Sequence, residues 1–511
     1  MINRRDALKR LGALAGAATF PKFLSGCGSD EDGGPVGITT YVYLMLENRT
    51  YDHVFGARSM LEGKPGNGLT STMGNPDING TVIAPFEPTS MVEQLCVGSD
   101  PHHGWVASGQ QWNAGANDGF LRVHQADFPG KTDPMEYLTR AQQPVSWALA
   151  DAYTTCDKWH AAIMGPTLPN RFYWHAATSC GYRSNAVLEN VTTLSVPTIY
   201  HRLRDANIEW AYYYGSLPVV SALANFSAPY NLPGEYIGTR VKRFGDSEFG
   251  EGDFFKDAEA GKLPPVVYID PFFYLNDDHP PSHPLLAQQL ISSIYTALAK
   301  SPQWKNCMFV VTYDEHGGFY DHVSPGKTMD DTSTKFPMDE DGKPTTAYMD
   351  GTEMVHGFDQ LGFRVPAMVI GPYVKKGHVS EVEYNHASAL KHLGTAFGLE
   401  DLNPRMAAAN DLSDCIDMER LAKGDWAKPI DLPAITINND NNGNRVSITA
   451  GGVEYPWTEA CELSGAALRP TDPISQTADK KPHLFEGRDL RSSHREYLAS
   501  IDAFLRKHQR S

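Results

Sequence analysis

Met308-Phe309-Val310-Val311-Thr312-Tyr313-Asp314-Glu315-His316-Gly317-Gly318-Phe319-Tyr320-Asp321-His322-Val323 is the stretch whose reading decides the fold. Its apolar, β-branched first half stops abruptly at two adjacent acids, Asp314 and Glu315, and then at Gly317-Gly318. A strand buried on both faces of a parallel sheet reads this way, as a continuous apolar run without polar alternation. In open α/β sheets ligands bind in the crevice beyond the carboxyl ends of the strands, so paired acids placed there face a site. Two neighbouring carboxylates repel each other unless positive charge lies beside them, and a divalent cation would supply it. Taken alone, the stretch fits a strand followed by a solvated acidic turn just as well.

The pattern recurs near the start of the chain. The apolar run from Ile38 to Leu46 ends in Glu47-Asn48, and Tyr51, Val54 and Phe55 at helical spacing predict a short helix dropping back on the sheet. Asp52 and His53 read there as solvent-facing or capping groups. Residues 208–214, 266–270 and 366–370 read as further strands, with β-branched or aromatic runs. Leu286, Leu290, Ile294 and Leu298 recur every four residues, a core-facing helix that feeds the 308 strand. Strand and helix in alternation imply a doubly wound α/β core. Beyond Asp411 the alternation fades. Residues 437–444 read as a turn or loop, 446–449 as a short β segment, and Tyr497, Ile501 and Leu505 give helical spacing over 488–507. This last part is a cap on the main domain or a separate binding module.

The chain has 511 residues, 41% hydrophobic and 21% charged, enough for one large domain or two ordinary ones. A net charge of -17 argues against a nucleic-acid backbone or a strongly anionic membrane as partner, because long-range steering would be repulsive. No internal stretch of about 18 or more apolar residues is present beyond the N-terminus.

Residues 1–27 are a targeting segment. Asn3-Arg4-Arg5-Asp6-Ala7-Leu8-Lys9 resembles a twin-arginine signal, and Leu24-Ser25-Gly26-Cys27 resembles a lipobox whose cysteine becomes the lipidated first mature residue. An ordinary signal peptide with a chance cysteine is the alternative. Residues 28–37 then form a flexible acidic tether. The expectation is export through the twin-arginine translocase to a periplasmic or cell-surface location, anchored at a membrane through Cys27. Six cysteines follow Cys27 without zinc-site spacing; Cys415 with Cys461 is the expected pair, and free buried thiols are the alternative.

MLENRTYDHVFG (residues 45–56) and TYDEHGGFYDHV (residues 312–323) resemble the first and a later signature of the bacterial phosphoesterase family that contains phospholipases C and a related acid phosphatase. Further elements match in the family's order. Asp100-Pro101-His102-His103-Gly104-Trp105 resembles its Asp-x-x-His-x-Trp element, and Asn117-Asp118-Gly119-Phe120 its Asp-Gly-Phe segment. Residues 147–171, with Met164-Gly165-Pro166-Thr167-Leu168-Pro169-Asn170-Arg171, resemble the nucleophile segment. Asp278-His279-Pro280-Pro281 resembles a His element, and residues 361–366 with Asn385-His386-Ala387-Ser388 the closing part, where two positions differ from the family's usual Asp-His-Thr-Ser. The likeness covers about residues 38 to 415, the catalytic domain, with 416–511 as an extension. It implies an alkaline-phosphatase-like α/β/α sandwich around a mostly parallel sheet.

The resemblance also implies roles. Thr167, held between Pro166 and Leu168-Pro169 in a stiff loop, is the nucleophile, although a lone Thr in a Pro-rich loop is usually only a turn residue. Glu47, Asn48, Thr167, Asp314 and Glu315 form an all-oxygen ligand set for one divalent ion, Ca²⁺ before Mg²⁺. His103 and His279 hold phosphate oxygens or protonate the leaving alkoxide. A one-residue shift would exchange His103 for His102. Asn48, His322, His386 and Arg171 are the substrate-binding candidates, with a loop-orienting role open for Arg171. The expected activity is metal-dependent phosphoester hydrolysis through a phosphothreonine, with phospholipase C-type headgroup cleavage first and acid phosphomonoester hydrolysis as the alternative. A non-catalytic, metal- or phosphate-binding lipoprotein is the reading from another class.

Overall fold

The two acid-terminated runs lie side by side as parallel neighbours in one eight-stranded sheet. The computed structural model describes residues 25–29, 35–89, 100–185, 196–216, 219–222, 240–244, 253–273, 275–280, 282–330, 356–440, 445–457, 499 and 501–508. In chain order the sheet contains β1 (Thr40–Leu46), β2 (Thr154–Cys156), β3 (Trp210–Tyr214), β4 (Val241–Arg243), β5 (Val266–Asp270), β6 (Cys307–Tyr313), β7 (Ala367–Ile370) and β8 (Val379–Ser380). Their spatial order is β8-β2-β7-β6-β1-β5-β3-β4. Only β7 runs against its neighbours, pairing antiparallel with both β6 and β2. The fold is thus α/β around a mostly parallel sheet.

Every residue of β1 and β6 is buried, which requires cover on both faces of the sheet. The layers come from α2 (Pro144–Ala152), α3 (Thr167–Ala176), α4 (Pro284–Lys300) and α5 (His386–Phe397), and α1 (Trp105–Trp112) precedes them in the chain. On one face Tyr41 and Tyr43 of β1 meet His392 and Phe397 of α5 and Trp174 of α3, edge to face at 5.5–5.7 Å. Alternation turns Val42 and Leu44 to the other face. The helix read from the four-residue spacing is α4: Leu286, Leu290, Ile294 and Leu298 are all fully buried. It packs along α2, where Gln288 Oε1 accepts from the backbone N–H groups of Val145 and Ser146 at 3.1 and 2.8 Å.

The C-terminal part departs from its sequence reading. Ile435–Asn439 is a strand, β9, not a loop; it pairs antiparallel with β10 (Arg445–Ala450), which pairs with β11 (Val453–Pro456). The asparagines obscured a period-two pattern in which Ile435 and Ile437 are buried. Asn438 Nδ2 donates across the ladder to the Ser447 and Thr449 hydroxyls at 2.9 and 2.8 Å. Residues 501–508 are helical, with Ile501 and Leu505 fully buried in the same core as the main sheet. Tyr497 and Cys461 lie outside the described residues, as do residues 1–24 and 30–34. Pro35–Gly37, in the stretch read as a tether, pairs antiparallel with Ser25–Ser29. Cys415 has the Cys156 sulfur 3.8 Å away, both thiols buried. Among the described residues no helix is long and apolar enough to cross a membrane.

Candidate functional site

Backbone register brings the acids together. Tyr313 pairs with Leu46, so Asp314 and Glu47 leave adjacent strands at one level, and Asp270 ends β5 on the other side of β1. Asn48 turns the chain sharply away in the left-handed region, φ 71°, a conformation that persists only where the surroundings enforce it. Here its N–H donates to Asp314 Oδ1 at 3.2 Å and its Nδ2 to Glu315 Oε1 at 2.8 Å. Gly317, at φ 65°, packs directly on this turn: a Cβ would stand 2.2 Å from Asn48 O and 2.4 Å from Asn48 Oδ1. Gly317→Ala must therefore push Asn48 away, and turnover is expected to fall about 100-fold, since a displacement near 1 Å has that effect. Retention of full activity by a folded G317A protein would show that the Asn48 turn is not needed.

Thr167 opens α3 directly after Pro166 and is 7% exposed. The loop before it is fixed by Asn170, whose Oδ1 accepts from Ile163 N–H at 3.1 Å and whose Nδ2 donates to Gly165 O at 2.9 Å. One turn beyond Thr167, the buried Arg171 bridges the strand ends. Its Nη2 lies 3.3 Å from Glu47 Oε1, its Nη1 3.2 Å from Asp270 Oδ1 and its Nε 3.1 Å from Asp314 Oδ2. Nη2 also donates to the carbonyls of Met45 and Leu46. The geometry therefore gives Arg171 the loop-orienting role: it ties the head of the helix that Thr167 begins to the acids of β1, β5 and β6, and it is fully engaged within the protein.

The structure separates the two neighbouring histidines. His102 is 45% exposed and paired with Asp127 at 2.7 Å, whereas His103 faces Asn48, with Asn48 Nδ2 at 3.3 Å from its Nε2. His279 Nε2 approaches the same Nδ2 at 3.0 Å, and the two rings meet edge to face at 5.4 Å. Each ring donates Nδ1–H to a backbone carbonyl, His103 to Pro101 at 2.8 Å and His279 to Pro280 at 2.7 Å. That fixes Nε2 as the atom each ring presents to the site. Burial opposes charge on His103, but the carboxylates of Glu315 and Asp100 and the Pro101 carbonyl outweigh it and raise its pKa.

His386 and His322 have other surroundings. His386 is fully buried, its Nε2–H donating to Asp314 O at 2.7 Å while Trp159 Nε1 donates to its Nδ1 at 3.4 Å. Both nitrogens are engaged within the protein, so its part is to hold the Asp314 backbone and not to bind substrate. His322 belongs to a separate cluster. Its Nδ1–H donates to Asp52 Oδ2 at 2.6 Å, and Arg364 pairs with Asp52 at 3.1 Å and Asp321 at 2.8 Å. Asp52 and His53 are almost wholly buried, which corrects the expectation that they face solvent. Asp52 has Arg364 and His322 to pair with, and His53 Nδ1–H donates to Glu136 O at 2.8 Å.

Burial works against charge on His322, yet Asp52 and Asp321 together raise its pKa. A raised folded pKa adds stability that is complete below the unfolded value, about 6.5, and is lost as pH climbs through the folded value. The thermal midpoint should therefore fall as pH rises from about 6.5 toward 8, and His322→Gln should flatten that dependence. An unaltered slope in H322Q would exclude the pair as its source.

Among the described residues two groups of three offer donor atoms all within 4.8 Å of one another: Asp100, His103 and His279, and Asp52, Asp321 and His322. Arg364 already neutralises the second. Glu47, Asp314 and Glu315 are not such a group, because the Arg171 guanidinium lies between Glu47 and Asp314. Even so, the oxygens around Asn48 suit a cation. Asn48 Oδ1 is buried without a hydrogen-bond donor, and burial pushes Glu315 up to about 8 despite His103, and Asp314 up despite Arg171. A bound cation would offset that burial and favour the charged carboxylates.

Several positioning residues are not among the site residues read from the sequence. Asp270 is one. Gln111 is another: its Oε1 accepts from His316 Nε2–H at 2.7 Å and its Nε2 donates to His102 O at 2.7 Å, tying the His103 segment to the Glu315 segment. Arg49 Nε donates to Asp278 O at 2.9 Å and so fixes the turn that carries His279. The strand-end position of Asp270 and the place of Arg49 in the 45–56 signature could have drawn attention.

Residues 38–400 match the Phosphoesterase family. The chain belongs to it. Phospholipase C A of Mycobacterium tuberculosis is 31% identical over 447 residues, covering 80% of this chain and 83% of that protein. Non-specific phospholipase C6 of Arabidopsis thaliana is 31% identical over 426 residues, covering 78% and 75%. A protein of the alkaline phosphatase superfamily from Vibrio parahaemolyticus overlaps 96% of this chain and 98% of its own at 12% identity with a TM-score of 0.34, too loose to bear on activity. This phosphoesterase family member is a phosphoester hydrolase.

Proposed function

We propose that this phosphoesterase cleaves phospholipid headgroups in the manner of a phospholipase C, through a covalent intermediate on Thr167. The observation that carries the reading is the convergence on Asn48 of His103 Nε2, His279 Nε2 and Glu315 Oε1, beside the helix that Thr167 opens. The 31% identity to phospholipase C A supports the substrate class. The Thr167 hydroxyl attacks phosphorus in line and passes its proton to His279 Nε2, while the bond to the diacylglycerol oxygen breaks and that oxygen leaves with a proton from Nε2 of His103, whose raised pKa suits it to that part. The headgroup phosphate is then esterified to Thr167; water attacks the phosphorus as His103 Nε2 takes its proton back, and His279 returns its proton to the departing Thr167 oxygen. Asn48 Oδ1, the Asp314 and Glu315 carboxylates and the Thr167 hydroxyl would hold a hard divalent ion such as Ca²⁺, Glu47 being tied to Arg171. When bound it would offset charge on the phosphate and ease loss of the Thr167 proton.

Release of diacylglycerol from phosphatidylcholine, compared with release of phosphate from a nitrophenyl monoester, tests the substrate. The diester is expected to be preferred; preference for the monoester would replace this reading with a phosphatase. Chelation should abolish the activity and Ca²⁺ should restore it, and full turnover in chelator would remove the ion from the account.

A further inference from the structure

Among the described residues, Arg183 is a buried cation without a counter-charge. Its side chain is 1% exposed, and neither Nη1 nor Nη2 has a hydrogen-bond acceptor. Its neighbour is the ring of Trp105, 5.9 Å from Cζ, and the Trp105 indole N–H is likewise buried with no acceptor. Three unanswered donor atoms thus lie close together in the interior, where an unpaired charge is costly. Both residues adjoin the segments that carry His103 and Thr167. Trp105 follows His103 by two residues and opens α1. A Cβ on Gly165, two residues before Thr167, would sit 3.4 Å from Trp105 Cε3. Two residues beyond Arg183, Asn185 Oδ1 accepts from the N–H of Leu168, the residue after Thr167, at 2.9 Å.

We infer that Arg183 and the Trp105 N–H form an anion subsite that binds a phosphate oxygen of the ester while Thr167 attacks it. A planar guanidinium and an indole N–H offer donors only, which fits an anionic oxygen and nothing cationic. The same charge keeps a quaternary ammonium headgroup away from this end of the site, even though Trp105, His356 and Phe358 stack there at 3.8–4.8 Å. The headgroup therefore extends in another direction and the phosphate lies toward Arg183. The inference rests on phosphoester hydrolysis at Thr167 and adds the group that orients the phosphate.

The test uses the full chain and two probes, inorganic phosphate by calorimetry and phosphatidylcholine turnover in mixed micelles. Arg183→Gln should weaken phosphate binding and raise KM by about tenfold or more, the scale of a charge-assisted hydrogen bond. Arg183→Lys should recover part of both. The thermal midpoint of R183Q should not fall, because an unpaired buried charge is removed. Trp105→Phe removes one donor and keeps the ring, so it should weaken phosphate binding less than R183Q does; it carries the test if R183Q does not fold. Thr167→Ala separates the two ideas: it should stop turnover and leave phosphate binding intact. If phosphate binding is unchanged in both R183Q and W105F, or if R183Q lowers the midpoint with phosphate binding intact, Arg183 is structural and the subsite does not exist. Weaker micelle KM with unchanged inorganic phosphate binding would assign Arg183 to another part of the lipid and equally overturn the phosphate subsite.

Discussion

Thr167→Ala is expected to lower turnover by about a million-fold, the scale seen when a nucleophile is removed from an otherwise intact hydrolase site. The residue stands at the first position of α3, after Pro166, and alanine is a good helix former there. The loop that presents it is held by Asn170 and the helix by Arg171, neither of which bonds the Thr167 hydroxyl. Stability should change little, and the urea midpoint of T167A should stay close to that of the parent. Loss of activity with unfolding would leave the role of the hydroxyl unproved. Loss of activity in a folded protein, with substrate still bound, isolates the chemical step.

The second large effect is on folding. Arg171→Met removes a guanidinium that faces Glu47, Asp270 and Asp314, all of them buried. Breaking a buried ionic network by deleting one partner typically costs about 3–5 kcal/mol, because the remaining charges keep their desolvation penalty. The expected results are a clear drop in the urea midpoint and loss of turnover, since the helix bearing Thr167 would no longer be tied to the strand ends. A divalent ion added in excess should restore part of the stability if it binds among the same carboxylates. Stability equal to the parent would mean that Arg171 is not the tie described above. An Arg171→Lys protein should fall between the two, since one ammonium cannot span three carboxylates.

The sheet and the acids at its edge were legible because an apolar run that stops at an acid marks both a buried strand and the sheet edge beyond it. Glu47-Asn48 and Asp314-Glu315 are read this way, and the structure brings them together at the ends of β1 and β6. The period of α4 was equally direct, its four apolar residues all fully buried. Polar groups that act by holding others were not legible. Gln111 has no periodicity or motif of its own, and the roles of Arg49, in the first signature, and Asp270, at a strand end, depend on partners far away in sequence. His322 and His386 were read as substrate-facing because they sit in the matching motifs. Their partners Asp52 and the Asp314 carbonyl become visible only when loops from distant segments meet. β9 was read as a loop because asparagines dominate its sequence, yet Asn438 is stabilised by cross-strand hydroxyls that no local propensity describes.

Rapid acid quenching during turnover of phosphatidylcholine labelled in the headgroup phosphate, followed by peptide mapping, tests the central claim most directly. The account predicts label on the peptide that contains Thr167, formed as fast as diacylglycerol appears and absent from T167A. Diacylglycerol released with no labelled peptide, or label on a residue other than Thr167, would contradict it.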